Sequence, residues 1–130
     1  MNSSIVIATD KAPQPVGPYN QAIKAGQFIY CSGQIAINPL TNSIECLGDI
    51  ERETLQVLNN LQAVLSKAGA EMNDVIKTTI FLTDLKNFQK VNNIYSEFFK
   101  GPRTPARACV EVSSLPKKVS VEIDCVAFIG

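Results

Sequence analysis

The stretch Val75-Ile-Lys-Thr-Thr-Ile-Phe-Leu-Thr83 decides the fold. Its β-branched residues read as a strand. Alternation sets Ile80 and Leu82 on one face and Phe81 on the other, so the strand is apolar on both sides and belongs in the middle of a sheet. Helical spacing flanks it. Upstream, Leu55, Leu58, Leu61, Val64, Leu65 and Ala68 recur at helical intervals after an Asp49 N-cap, and Gly69 supplies the stop. Downstream, Asp84 can cap a second helix with the stripe Phe88, Val91, Tyr95 and Phe98, ending at Gly101.

Farther out, Ile5 to Ala8 is a short strand candidate. Lys11 to Pro18 holds three prolines and a glycine and is irregular. Asn20 to Lys24 and Gln27 to Gln34 read as a hairpin around the Ala25-Gly26 turn. Asn38 to Ser43 carries loop chemistry. Arg107 to Val112 and Val119 to Phe128 are the last strands, joined through Leu115-Pro116-Lys117. The order is ββ-α-β-α-ββ, an α+β fold in a single domain over residues 1–130. Right-handed crossovers place both helices on one face of a mixed sheet. The other face stays bare although Phe28, Tyr30 and Phe81 point to it, so a homo-oligomer is expected.

Composition narrows the function. Twelve basic residues balance twelve acidic ones, and histidine is absent. Zero net charge lacks the basic footprint of a nucleic-acid binder. Without histidine there is no Ser-His-Asp triad, no Cys-His dyad and no HExxH zinc site. Cys31, Cys46, Cys109 and Cys125 form no CxxC pair; they read as reduced core thiols, and no metal site is expected. The N-terminus has neither the charged region and long apolar run of a signal peptide nor an Arg-rich transit pattern, and no segment is long enough to span a bilayer. A cytoplasmic protein is expected.

The stretch Pro105-Ala-Arg-Ala-Cys-Val-Glu-Val112 puts an arginine inside an apparently buried strand. Arg107, Cys109 and Glu111 share one face. A guanidinium keeps its proton, so burial demands an anion. If the last two strands pair as a hairpin, Arg107 lies near Glu122 or Asp124. That arrangement is either a structural cross-strand ion pair or a carboxylate-binding arginine beside a carboxylate that activates water. Tyr19 sits on the stiff Pro-Val-Gly-Pro loop, as a packed aromatic or a pocket wall. Ser32-Gly33 is a turn or a close backbone approach to a ligand. Asn92 is an exposed amide or faces a pocket.

Together, the Gly-Pro-Tyr19 loop, Ser32-Gly33-Gln34, Lys77-Thr-Thr-Ile-Phe-Leu, Val91-Asn92, Pro105-Ala-Arg107-Ala-Cys109-Val, Leu115-Pro and Val121-Glu122-Ile123 resemble the Rid (YjgF) family of reactive intermediate deaminases. The resemblance spans nearly the whole chain. It implies a chorismate-mutase-like fold, a homotrimer whose sheets form a central barrel, and three clefts between subunits. The implied reaction is hydrolysis of reactive enamines and imines, such as 2-aminoacrylate and 2-iminobutyrate, to 2-keto acids and ammonia, which limits metabolite damage to pyridoxal-phosphate enzymes. By the same resemblance Arg107 grips the substrate carboxylate and Glu122 positions the attacking water. Tyr19 closes the cleft, and Ser32 and Asn92 add hydrogen bonds. Backbone groups near Gly33 and Cys109 hold the nitrogen end, with no cofactor or metal. Cys109 has no base to ionise it and reads as lining.

Two competing readings remain at this level. One is an endoribonuclease or translation inhibitor, an activity ascribed to relatives, against which zero charge and absent histidine both argue. The other is a noncatalytic 2-keto-acid-binding regulator or chaperone-like module using the same Arg107 cleft.

Overall fold

The computed structural model describes residues 3–130. The first two residues of the N-terminal segment read above for targeting signals lie outside the described residues. One sheet has six strands: β1 (Ile5–Ile7), β2 (Ala22–Ala25), β3 (Phe28–Gln34), β4 (Val75–Leu82), β5 (Ala106–Glu111) and β6 (Val121–Phe128). Helix α1 (Ile50–Lys67) connects β3 to β4, and α2 (Phe88–Phe98) connects β4 to β5. The α+β order holds, with the short β1 added in front. In space the strands run β1-β2-β3-β6-β4-β5, with β4 and β5 parallel and every other neighbouring pair antiparallel.

The local signals act as the chemistry requires. Asp49 Oδ1 accepts the Arg52 N–H at 3.2 Å, and Gly69 ends α1 at φ +85°, which a residue with a side chain adopts only at a cost. Val57, Leu58, Leu61, Val64 and Leu65 are buried on the inner face of α1. Burial of each contributes about 2 kcal/mol. Leu55 lies off that face, exposed. Glu53, fully buried beside this face, accepts from the Gly48 and Ser120 N–H groups, each at 2.8 Å. It thereby ties the start of α1 to the entry of β6. Asp84 caps a 3-10 turn, Leu85–Asn87, rather than the α-helix itself, accepting from the Lys86 N–H at 2.9 Å. The α-helix begins one residue later, at Phe88. Of its expected stripe, Val91 and Tyr95 are buried, while Phe88 is exposed.

Two expectations fail, for one reason. β5 and β6 do not form a hairpin, because β4 lies between them. The residues of β6 that face the helices, Val121, Ile123, Cys125 and Ala127, are all buried, so the strand belongs in the sheet centre between β3 and β4. The parallel crossover through α2 leaves β5 on the outer edge. Arg107 is consequently exposed in the protomer, not buried.

Register fixes the two faces of the sheet. Thr78 stands opposite both Arg107 and Cys125, so these three point toward the helices. Phe81 stands opposite both Val110 and Glu122, which point away. The helix face is the core. The other face carries Phe28, Tyr30, Val110 and Phe128 at 39, 51, 42 and 37% exposure, the bare apolar surface the sequence implies.

Candidate functional site: two half-sites on opposite faces of the sheet

The first half-site begins at the proline loop. Gln21, 2% exposed, anchors it through one side chain. Its Nε2 donates to the carbonyls of Pro13 (2.8 Å), Thr9 (3.0 Å) and Ala12 (3.3 Å), and its Oε1 accepts the Thr9 N–H at 2.7 Å. Tyr19 follows on this stiffened loop, its phenol oxygen accepting the Val16 N–H at 3.3 Å. Ser32 Oγ donates to the Asn20 carbonyl at 2.6 Å and locks the loop to β3.

At Ser32-Gly33 the β3–β6 register slips between Cys31 and Gln34. Such an irregularity re-aims neighbouring side chains. The Glu122 carboxylate occupies the space above Gly33 that a side chain would fill: a β-carbon there would lie 2.9 Å from Glu122 Cδ. A cleft of about 360 Å³ opens over this point, walled by Pro15, Tyr19, Ser32, Gly33, Pro116 and Glu122. Burial raises the Glu122 carboxyl above its ordinary range, and the neighbouring Asp124 charge pushes it further the same way. Asp124 is itself raised by burial, which outweighs its bonds to Thr79 and the nearby Lys77.

The second half-site lies at β5 and α2. Phe88, Asn92 and Tyr95 recur at helical i, i+4, i+7 spacing and meet Arg107. Asn92 Oδ1 accepts from Arg107 Nη1 at 2.7 Å. The guanidinium carbon lies 5.3 Å from the Phe88 ring centre and 5.0 Å from that of Tyr95. Among the described residues these partners of the guanidinium are neutral. A hollow of about 340 Å³ adjoins it, bordered by Asn92, Tyr95, Thr104 and Pro105. Cys109, two residues along the same strand face, packs partly buried against the core. Burial pushes its thiol up, and Arg107 offsets this only in part, so it is a poor nucleophile.

The structure thus brings Tyr19, Ser32, Gly33 and Glu122 together, and separately Asn92 and Arg107 with Cys109 beyond. It does not unite the groups within one protomer. Arg107 and Glu122 point from opposite faces of the sheet, so the cross-strand ion pair of Arg107 with Glu122 or Asp124 is absent for that reason. Sequence reasoning missed Gln21, Phe88 and Tyr95 as parts of these sites. In the sequence the last two are legible only as part of the apolar stripe of the second helix, and their spacing around Asn92 is the available signal.

The remaining thiols are structural. Cys31 and Cys125 stand opposite each other in the β3–β6 register and are buried. The adjacent Cys31 thiol, then burial, pushes Cys125 up. Among the described residues no cluster of three or more His, Cys, Asp or Glu side chains is placed to hold a metal ion, and no helix is long and apolar enough to cross a membrane.

Comparison with known proteins gives one consistent picture. The family model described as endoribonuclease L-PSP matches residues 9–129. A RutC family protein of Pyrococcus abyssi is 52% identical over 123 residues, covering 95% of each chain. Another from Synechocystis is 53% identical over 122 residues, covering 94% of each. Among solved structures, a protein of unknown function of the conserved Rid family from Yersinia pestis superposes with a TM-score of 0.94 at 48% identity, over 98% of this chain and 100% of that one. E. coli TdcF, solved with bound serine, superposes with a TM-score of 0.90 at 37% identity, over 97% and 99% of the two chains.

Proposed function

Since this chain belongs to the Rid (YjgF) family, we propose that it hydrolyses reactive 2-enamino and 2-imino acids, 2-aminoacrylate and 2-iminobutyrate among them, to 2-keto acids and ammonia. The observation that carries this reading is Arg107, a guanidinium held by an amide oxygen and two rings beside an open hollow. A carboxylate is the ligand that geometry suits, since a guanidinium binds it bidentately. TdcF, which shares the fold, binds serine, a small 2-amino acid with the same carboxylate end.

Opposed half-sites become one site when a second copy packs on the bare sheet face. In the trimer that family membership suggests, Arg107 of one subunit faces the Glu122 cleft of its neighbour. The chemistry then needs no histidine. Arg107 fixes the carboxylate and Tyr19 closes the cleft. Glu122 accepts a proton from water as the water oxygen bonds to the iminium carbon. Glu122 passes that proton to the nitrogen; the new hydroxyl then gives its own proton to Glu122 as the carbonyl forms, the C–N bond breaks and ammonia leaves. One water is consumed per ammonia released. A carboxyl raised by burial suits this shuttle, because a base works best when its pKa approaches the working pH. No metal or organic cofactor enters this scheme.

The deciding experiment generates 2-iminobutyrate with threonine dehydratase and follows 2-ketobutyrate release with wild type and Arg107→Ala. Acceleration by wild type alone supports the reading. Acceleration by neither overturns it for this substrate. Including an RNA substrate tests the rival that the family model's description names; RNA cleavage dependent on Arg107, without imine hydrolysis, would favour that rival.

A further inference from the structure

Helix α2 presents Phe88, Asn92 and Tyr95 to Arg107, but these three are fixed to very different degrees. Phe88 is exposed, whereas Tyr95 is buried. The Tyr95 hydroxyl and Thr78 Oγ1 share a hydrogen bond of 2.7 Å, and Thr78 is fully buried in β4. Phe99 packs against the Tyr95 ring with centroids 4.5 Å apart. The ring is therefore held by a hydrogen bond at its tip and by an aromatic neighbour along its body. Thr78 is also the register partner of Arg107. One residue of β4 thus fixes the ring against which the arginine of the adjoining strand rests.

An arginine at an exposed sheet edge has several free torsions, and immobilising them at the moment of binding weakens affinity. A ring that is already rigid removes part of that cost. Asn92 takes one N–H of Nη1, and the guanidinium carries five N–H donors in all, so donors remain for a ligand carboxylate. We infer that Tyr95, fixed by Thr78, is a positioning residue that pre-orients Arg107 for substrate carboxylate binding. This rests on the reading of Arg107 as the carboxylate anchor. It assigns to Tyr95 a role beyond filling the core. Burial, the largest influence on the Tyr95 phenol, raises it above its ordinary range, so the ring faces Arg107 as a neutral group and supplies orientation, not charge pairing.

The test compares wild type, Tyr95→Phe, Tyr95→Leu and Phe88→Leu in the intact oligomer. Steady-state kinetics on 2-iminobutyrate gives KM and kcat separately. The Arg107 Nε–H resonance in 15N-edited spectra, assigned by its loss in Arg107→Lys, reports how rigidly the side chain is held. Removing the ring in Tyr95→Leu is expected to raise KM about tenfold with kcat changed less than about threefold, and to broaden the resonance. Tyr95→Phe keeps the ring but loses the Thr78 hydrogen bond, and is expected to raise KM several-fold, between wild type and Tyr95→Leu, with a partly broadened resonance. Phe88→Leu removes the other, exposed ring and is expected to raise KM less than Tyr95→Leu does, because Phe88 lacks the tether to Thr78. A wild-type KM and an unchanged Arg107 resonance in Tyr95→Leu, or in Tyr95→Phe should the leucine variant not fold, would overturn the inference, as would a fall in kcat at constant KM. If wild type itself fails to hydrolyse the imine, the functional reading falls, while the resonance comparison still decides whether the ring orders Arg107.

Discussion

The Glu122 carboxylate sits over Gly33 so closely that a β-carbon on that glycine would stand 2.9 Å from Glu122 Cδ, and closer still to Oε2. The backbone of one central strand thus forms the floor on which the carboxylate of the next one rests. The register slip in β3 and the missing side chain are two halves of one device that places an acid in a cleft whose other lining side chains are all uncharged.

Gly33→Ala displaces that carboxylate. Gly33 has no left-handed φ, and the atoms it would meet are the end of a flexible side chain. The fold therefore tolerates the methyl group, but Glu122 swings away. Thermal melting is expected to stay within a few degrees of wild type while kcat/KM falls at least about tenfold. A normal rate would show that this placement is not needed.

Glu122→Gln separates activity from stability. The folded-state carboxyl is raised above its ordinary value of 4.5, first by burial and then by Asp124. A group raised on folding contributes stability below its unfolded pKa and loses it as pH rises through the folded value. Ionised Glu122 therefore opposes folding at neutral pH. The glutamine variant is expected to melt higher than wild type at pH 7, with the gain fading as pH falls toward the ordinary value, and to lose most imine hydrolysis. Melts across this range, beside the rate profile, check both signs.

Mixed oligomers test whether the half-sites combine across subunits. Arg107→Ala and Glu122→Gln are each expected to be nearly inactive. Co-expression pairs an intact Arg107 from one variant with an intact Glu122 from the other, and random assortment restores about a quarter of wild-type sites. Purified mixed oligomers without recovered activity would refute the shared site.

Gln21→Ala removes four hydrogen bonds made by one buried side chain and takes this partner from the Thr9 N–H and the Ala12 and Pro13 carbonyls, while the Thr9 carbonyl keeps its bond from Gln14 Nε2. A loss of about 3 kcal/mol is expected. The loop bearing Tyr19 loosens with it, so KM rises more than kcat falls. Urea denaturation gives the first quantity and kinetics the second.

Cys109→Ala probes the thiol. Burial raises it and Arg107 compensates only partly, so it is not an activated nucleophile. The expected kcat lies within about threefold of wild type. A collapse in rate at an unchanged melting point would restore a chemical role to the sulfur.

Much of the molecule was legible in order. Asp49, Gly69 and the leucine spacing of α1 are local signals, and local signals survive without tertiary context. The same holds for the paired faces of β4 and β6, which follow from alternation alone. Boundaries moved by a residue or two, as at Ala22–Ala25 and Val121–Phe128, where side chains outside the ladder look like strand. Phe88 and Tyr95 were visible only as an apolar stripe, because helical spacing says which residues share a face and not what lies against that face.

By itself the sequence determined the helices, the strands, the bare apolar face and the residues that differ chemically from their surroundings: Arg107, Glu122, Gly33 and Tyr19. Each follows from local propensity, periodicity or the impossibility of discharging a guanidinium. The position of β6 between β3 and β4 was decided only by tertiary structure, because strand pairing depends on long-range burial and not on adjacency in the chain. That one insertion moved Arg107 from a buried hairpin to an exposed edge and turned it away from Glu122. It also laid Arg107 against Asn92 and the Tyr95 ring, contacts that exist only because α2 crosses over the strand edge.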